Sequence, residues 1–211
     1  MRVRLALAGV AILALGGGPA TGEGTPPSFE VPAAGTYELP PITRVGEHQL
    51  LDPAGTPGPI LGLAENQAAL VSFVYAHCPQ ACPAALAVLQ RVDRALAARP
   101  TLASRVRMVT VSFDPERDTP EQMGRIARNL APVSDWRFLT AASNAEIAPV
   151  LEDYGQDTQP LRFGDDDPER LRHVLKVFLV DSSRSVRNIY SSGFMTSELL
   201  LADLETVLGG G

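Results

Sequence analysis

An α/β layer structure, a central sheet flanked by helices, is the fold class this sequence predicts, and three observations predict it. Strand-like and helix-like patterns alternate along the chain. Three runs, 69–75, 106–113 and 174–180, are nearly continuously apolar, as suits central strands buried on both faces. Two of the helical segments open on complete capping signals.

The elements follow in order. The folded part is expected to begin near Ile42, with a short strand over His48–Leu51 ahead of the first apolar run, Ala69–Tyr75. A helix over Pro83–Ala98 comes next, because Leu86, Leu89, Val92 and Leu96 recur at helical spacing and would cover one face of a sheet. The second run, Val106–Phe113, leads into Thr119-Pro120-Glu121-Gln122, which sets an N-cap, a first-turn proline and a capping-box glutamine in register for a helix over Pro120–Leu130. Trp136–Leu139 reads as a short strand with Trp136 in the core. Ser143-Asn144-Ala145-Glu146 repeats the capping logic for a helix over Asn144–Tyr154. A long polar loop fills 155–172, strands follow over Val174–Val180 and Val186–Tyr190, and a last helix covers Ser197–Leu208 before a Gly209–Gly211 tail. No repeat is visible.

Composition limits the function classes. With 45% hydrophobic and 20% charged residues in 211, the chain has room for one full core and is not of disordered type. A formal charge of −6 argues against a nucleic-acid partner, which would require a basic face. At the N-terminus, Arg2 and Arg4 precede an apolar stretch from Leu5 to Leu15, and Gly18-Pro19-Ala20 supplies small residues for cleavage. Residues 1–20 therefore read as a secretory signal, since a membrane span needs roughly 20 apolar residues. The Gly-, Pro- and Thr-rich stretch 21–41 reads as a linker, leaving 42–211 as the domain.

Two cysteines, Cys78 and Cys82, are the only sulfhydryls, and they fall between an apolar strand and a helical pattern. A helix N-terminus there would favour thiolate over thiol. If the first helical turn is formed between them, the two side chains share one face and could either chelate one ion or close to a disulfide. Two thiolates favour a soft ion such as Cu(I), or borderline Zn(II), and either needs a third donor. Three histidines are available. His173 stands at the start of a central strand, at the end of the long loop. Taken alone, such a residue is more often a solvated loop histidine than a ligand. His77 adjoins Cys78 and reads as pointing away from it or supporting the turn, and His48 as a strand residue with no chemical role. Asp114, immediately past the second run, would stand near the same sheet edge, yet Asp114-Pro115-Glu116-Arg117-Asp118 reads first as turn chemistry ahead of a capped helix.

Phe73-Val74-Tyr75-Ala76-His77-Cys78-Pro79-Gln80-Ala81-Cys82-Pro83 resembles the F-x-Y-T-H-C-P-D-x-C-P motif of the Sco/SenC family, and Asp114–Glu121 resembles that family's second block. A third block, H-S-x-x-x-Y-L-x-D, is matched by His173–Asp181 with Phe178 as the aromatic, while Val174 replaces the usual Ser and Arg172 the usual acidic residue. The resemblance implies a thioredoxin-like fold with a mixed central sheet, held outside the cytoplasm in the periplasm or an equivalent compartment, with inner-membrane association left open. It also implies a metallochaperone rather than an enzyme, binding copper as Cu(I), with Cu(II) left open, through Cys78, Cys82 and His173. The implied partners are the copper-bearing subunit of cytochrome c oxidase, or another copper acceptor, and a thiol reductant.

Bottom-up chemistry agrees with that ligand set, since two thiolates and a neutral imidazole around Cu(I) carry a net charge of about −1, which a helix N-terminus would stabilise. Alternatives remain: a thiol-disulfide oxidoreductase using Cys78 as the attacking thiol, or a redox or copper sensor. Peroxidase chemistry fits poorly, because Tyr75 occupies the place of the threonine such enzymes use. A closed zinc site would need a fourth ligand. Asp165-Asp166-Asp167 reads as a solvated acidic run and Met195 as a packing residue.

Overall fold

The computed structural model describes residues 30–76, 81–156, 160–163, 167–171, 175–191 and 194–209. By contacts the chain divides into Met1–Glu30 and Val31–Gly211, and the second unit contains every element described below. Those elements are β1 (Thr43–Arg44), β2 (Gln49–Leu51), β3 (Pro57–Pro59), β4 (Ala68–Val74), α1 (Ala81–Ala97), α2 (Pro100–Ala103), β5 (Val106–Ser112), α3 (Pro120–Leu130), β6 (Trp136–Leu139), α4 (Asn144–Asp153), β7 (Pro160–Phe163), β8 (Asp167–Leu171), β9 (Lys176–Asp181), β10 (Ser185–Ser191) and α5 (Ser197–Gly209).

The main sheet has six strands in the order β1-β10-β9-β4-β5-β6. β4 runs parallel to β5 and β5 to β6, while β9 is antiparallel to β4 and β10 antiparallel to β9, so the sheet is mixed. The three apolar runs of the sequence supply β4, β5 and β9, which are neighbours at its centre. Alternation along β4 shows why that strand had to be apolar throughout. Ala68 and Leu70 face a layer formed by Val88, Leu89 and Val92 of α1 and Leu200 and Leu204 of α5. Ala69, Val71 and Phe73 face the opposite layer, with Ile147 and Val150 of α4 and Leu50, Ile60 and Leu61. Each buried Val, Leu, Ile or Phe side chain there contributes about 1.5–3 kcal/mol.

Both N-caps form as their chemistry predicts, while the Gln122 and Glu146 side chains accept from Arg125 and from the Ala142 N–H. Thr119 accepts a hydrogen bond from the Gln122 N–H with Pro120 in the first turn, and α3 spans the predicted residues. Ser143 accepts from the Glu146 N–H and starts α4. At the other end of α3, Ala131 takes the left-handed conformation (φ 47°) and its N–H returns to the Ala127 carbonyl. Two buried polar side chains, Asp93 and Thr110, pair across the fold. Asp93 of α1 accepts from the Val133 and Ser134 N–H groups and the Ser134 hydroxyl, which fixes the entry to β6. Trp136 is buried as expected, and its indole N–H donates to Thr110, whose hydroxyl shares a 2.9 Å hydrogen bond with Ser72.

The strand expected over His48–Leu51 is present as β2, which pairs with β3 in a separate hairpin, and among the described residues a Leu51–Thr140 bridge joins it to the main sheet's edge. One expectation is corrected: the loop expected over 155–172 holds β7 and β8, paired antiparallel. β8 is Asp-Pro-Glu-Arg-Leu, almost wholly polar and interrupted by a proline, so the alternation that marks a half-buried strand is missing from it. Contacts from α5 and β10 also reach back into the stretch read as a linker: the Gly35 N–H donates to Thr206 and the Tyr37 hydroxyl to Asp203 of α5, and Arg187 of β10 donates to the Leu39 carbonyl.

The β9–β10 hairpin turns through residues 182–184 and ends on Arg184 with φ 64°, a left-handed conformation that costs a non-glycine residue about 1 kcal/mol. The turn is held by Asp181, which accepts from the Ser183 and Ser185 N–H groups and from Arg187. Burial works to raise the Asp181 pKa, but these hydrogen bonds outweigh it and hold the carboxyl below its ordinary value. Arg184→Gly is expected to raise stability by about 0.5–1 kcal/mol in urea unfolding, because the strain exceeds glycine's added chain entropy; a loss of stability would contradict this.

Candidate metal centre

The site is built at one edge of the main sheet. Because β4 and β5 are parallel and in register from Ala68↔Val106 to Val74↔Ser112, both end at this edge. β9 runs the other way, with Ser72 opposite Val177, so its first residue, Lys176, begins there. β10 finishes at the same place, Ser191 opposite Lys176. The chain thus presents the segment after β4, the segment after β5, the residues entering β9 and those leaving β10 along one rim, the place where α/β sheets gather ligands.

In chain order, the three sequence-predicted ligands adjoin elements that begin or end at this rim. Cys78 lies between β4 and α1, and His173 between β8 and β9; both fall outside the described residues, as does His77. Cys82 is the second residue of α1. Its main chain is therefore in the first helical turn, where free N–H groups and the helix dipole favour a thiolate. The mutual distances of the three donors lie outside the described residues.

The described residues show how the chain is held from the end of β4 to Ala76. The Val74 carbonyl accepts from the Phe113 N–H at 3.1 Å, which extends the β4–β5 ladder past the strand end. Next, the Tyr75 ring packs against Phe113 with centroids 5.1 Å apart. The Ala76 N–H then donates to Asp118 Oδ2 at 2.9 Å. Asp118 has no exposed surface, and the same oxygen accepts from the Ser112 hydroxyl at 2.6 Å. Ser112 Oγ also accepts from the Asp114 N–H at 3.0 Å, and the Asp118 N–H returns to the Asp114 carbonyl at 2.8 Å. Asp114 itself is buried beside Arg117, 2.9 Å away, and Glu116 accepts from Asn144 of α4.

So the second block is a closed turn, as read, and within it Asp118 rather than Asp114 bonds to the chain leading to Cys78. Sequence reasoning weighed only Asp114. The signal available was the second aspartate four residues on, directly before the N-cap Thr119, a position where a solvated turn residue has no reason to be buried.

His48, expected to be idle, contacts Asp153 through Nε2 at 2.7 Å, and the same carboxylate oxygen accepts from the Gly46 N–H. Burial acts to raise the Asp153 pKa, but the His48 and Gly46 hydrogen bonds prevail and keep it low. This pair clasps the end of α4 to the chain before β2 and is no metal site: among the described residues no group of three or more His, Cys, Asp or Glu could hold an ion. Met195 packs in the core as expected, while its neighbour Phe194, just past β10 on the rim, is 85% exposed. No helix among the described residues is long and apolar enough to cross a membrane.

Residues 46–209 match the family model described as SCO1/SenC. This chain belongs to the SCO1/SenC family. Among curated relatives, the mitochondrial SCO2 homolog of Bos taurus is 31% identical over 127 residues, 60% of this chain and 46% of that protein. The SCO1 protein homolog of Bacillus subtilis (strain 168) is 35% identical over 80 residues, 37% of this chain and 39% of that one. The chain thus spans less than half the length of these relatives. Among solved structures, Bradyrhizobium japonicum ScoI with copper bound is 28% identical with a TM-score of 0.63, covering 77% of this chain and 98% of that one. Apo Sco1 from Thermus thermophilus is 28% identical with a TM-score of 0.67, covering 82% and 95%. The thioredoxin-like fold that the motifs imply is therefore the fold of this SCO1/SenC chain.

Proposed function

We propose that this SCO1/SenC chain is an exported copper metallochaperone that holds Cu(I) through Cys78, Cys82 and His173 and passes it to the copper-bearing subunit of cytochrome c oxidase. The observation that carries this is the family match over residues 46–209, which includes all three donors, together with the copper-bound neighbour of the same fold. The donor set suits the cargo. Two thiolates and one imidazole are soft enough for Cu(I), and three donors fall short of the four that a closed zinc site takes. Cys82 in the first turn of α1 gains from the helix dipole when it is anionic.

The same two thiols can close to a disulfide in an oxidising compartment, so cargo loading depends on a thiol reductant. Reduced protein is expected to take up one equivalent of Cu(I) in an anaerobic titration against a chromophoric Cu(I) chelator, and disulfide-form protein none. Equal uptake by both forms would overturn the proposal. Catalysis of thiol-disulfide exchange on a test disulfide, without tight Cu(I) uptake, would favour the oxidoreductase reading instead.

A further inference from the structure

Asp118 ties three stretches of chain together at the rim. Its Oδ2 accepts at once from the Ala76 N–H, two residues before Cys78, and from the Ser112 hydroxyl at the end of β5. Ser112 cannot drift, because its oxygen also accepts from the Asp114 N–H and its main chain is paired with Val74. Asp118 cannot drift either, since its own N–H is held by the Asp114 carbonyl and Thr119 immediately caps α3. The carboxylate is wholly buried. A buried carboxylate costs several kcal/mol to desolvate unless it is hydrogen-bonded, so the two bonds accepted by Oδ2 are what keep the side chain in this place.

We propose that Asp118 is a positioning residue for the Cys78–Cys82 pair: by pinning the Ala76 N–H to β5 it sets the path of the chain into the thiol segment. The inference rests on the reading of these cysteines as working thiols. A pinned segment raises the effective concentration of one thiol at the other and at a shared ion, so releasing it weakens both functions in parallel. An asparagine can present its carbonyl oxygen where Oδ2 stands and keep both hydrogen bonds, whereas alanine loses both.

The test uses the full chain with Asp118→Ala, Asp118→Asn and Ser112→Ala, and two separate readouts on protein shown to be folded by circular dichroism. The first is Cu(I) affinity by anaerobic chelator competition. The second is the glutathione equilibrium, in which one glutathione disulfide oxidises the two protein thiols to their disulfide and is itself reduced to two glutathione thiols. Asp118→Ala is expected to weaken Cu(I) binding at least tenfold and to lower the disulfide-forming constant at least fivefold. Ser112→Ala should move both in the same direction by less, and Asp118→Asn should stay within threefold of wild type. If Asp118→Ala does not fold, Ser112→Ala and Asp118→Asn decide. Unchanged values in folded Asp118→Ala or Ser112→Ala overturn the inference, as does an Asp118→Asn variant as impaired as alanine. Wild-type protein that binds no Cu(I) would sink the proposed function alone, and the glutathione arm would still decide the role of Asp118.

Discussion

His173→Ala is expected to weaken Cu(I) binding on the order of a hundredfold or more while leaving the fold intact. The magnitude follows from ligand chemistry: removing even an outer partner of a metal ligand costs about 10–100-fold in affinity, so loss of a direct donor belongs at or above the top of that range. It does not reach zero, because Cys78 and Cys82 still offer two soft thiolates. Either cysteine-to-serine change should therefore cost more than His173→Ala. Competition against a chelator of known Cu(I) affinity measures both, with thermal unfolding as the control. Chain position supports an intact fold, since His173 lies between β8 and β9 and none of the core contacts described for β9 depends on it. Wild-type affinity in His173→Ala would remove His173 from the ligand set. If disulfide exchange by the same variant were also unaffected, the cysteine pair would be left with a redox task. Acid should weaken wild-type binding as well, because both thiols and the imidazole must shed protons to coordinate.

What the sequence disclosed about this molecule, and what it withheld, divides by the range of the interaction. β4, β5 and β9 were legible because burial on both faces demands uninterrupted apolar runs, and α3 was legible to the residue because Thr119, Pro120 and Gln122 cap it locally. The rim followed from the same strands once their parallel register was known. Polar groups that pair across the fold left no local trace. Asp118 meets Ala76 at a separation of 42 residues, Asp153 meets His48 at 105, and Asp203 meets Tyr37 at 166. No window of sequence spans such a pair. β7 and β8 escaped for another reason: the Gly155–Arg172 stretch lacks the sustained alternation that burial imposes on a half-buried strand.

Asp203→Ala is expected to destabilise the protein by about 3–5 kcal/mol. Asp203 interrupts the otherwise apolar stretch Leu199–Leu204 of α5 and is 1% exposed. Its carboxylate is the common acceptor of three donors from two other parts of the chain: the Tyr37 hydroxyl on Oδ1, and Asn188 Nδ2 at 2.8 Å and the Tyr190 hydroxyl at 2.6 Å on Oδ2. Burial first, then the charge of Asp203, push the Tyr190 phenol far above its ordinary pKa, so this hydroxyl remains a donor throughout the working range of pH. Alanine removes the acceptor and leaves the buried Tyr190 hydroxyl unpaired, which costs more than the net value of the bonds themselves. It also removes one tie between the Tyr37 segment and α5, while the Gly35 bond to Thr206 and the Arg187 bond to the Leu39 carbonyl remain. Urea unfolding should show a lower midpoint, and the melting temperature should fall by roughly 10 °C for a domain of this size. Removing donor and acceptor together tests the cause: in Asp203→Leu with Tyr190→Phe, much of the loss should return, because two apolar groups need no partner. A single-variant loss below about 1 kcal/mol, the scale of one ordinary neutral hydrogen bond, would mean that the carboxylate does not hold these elements together.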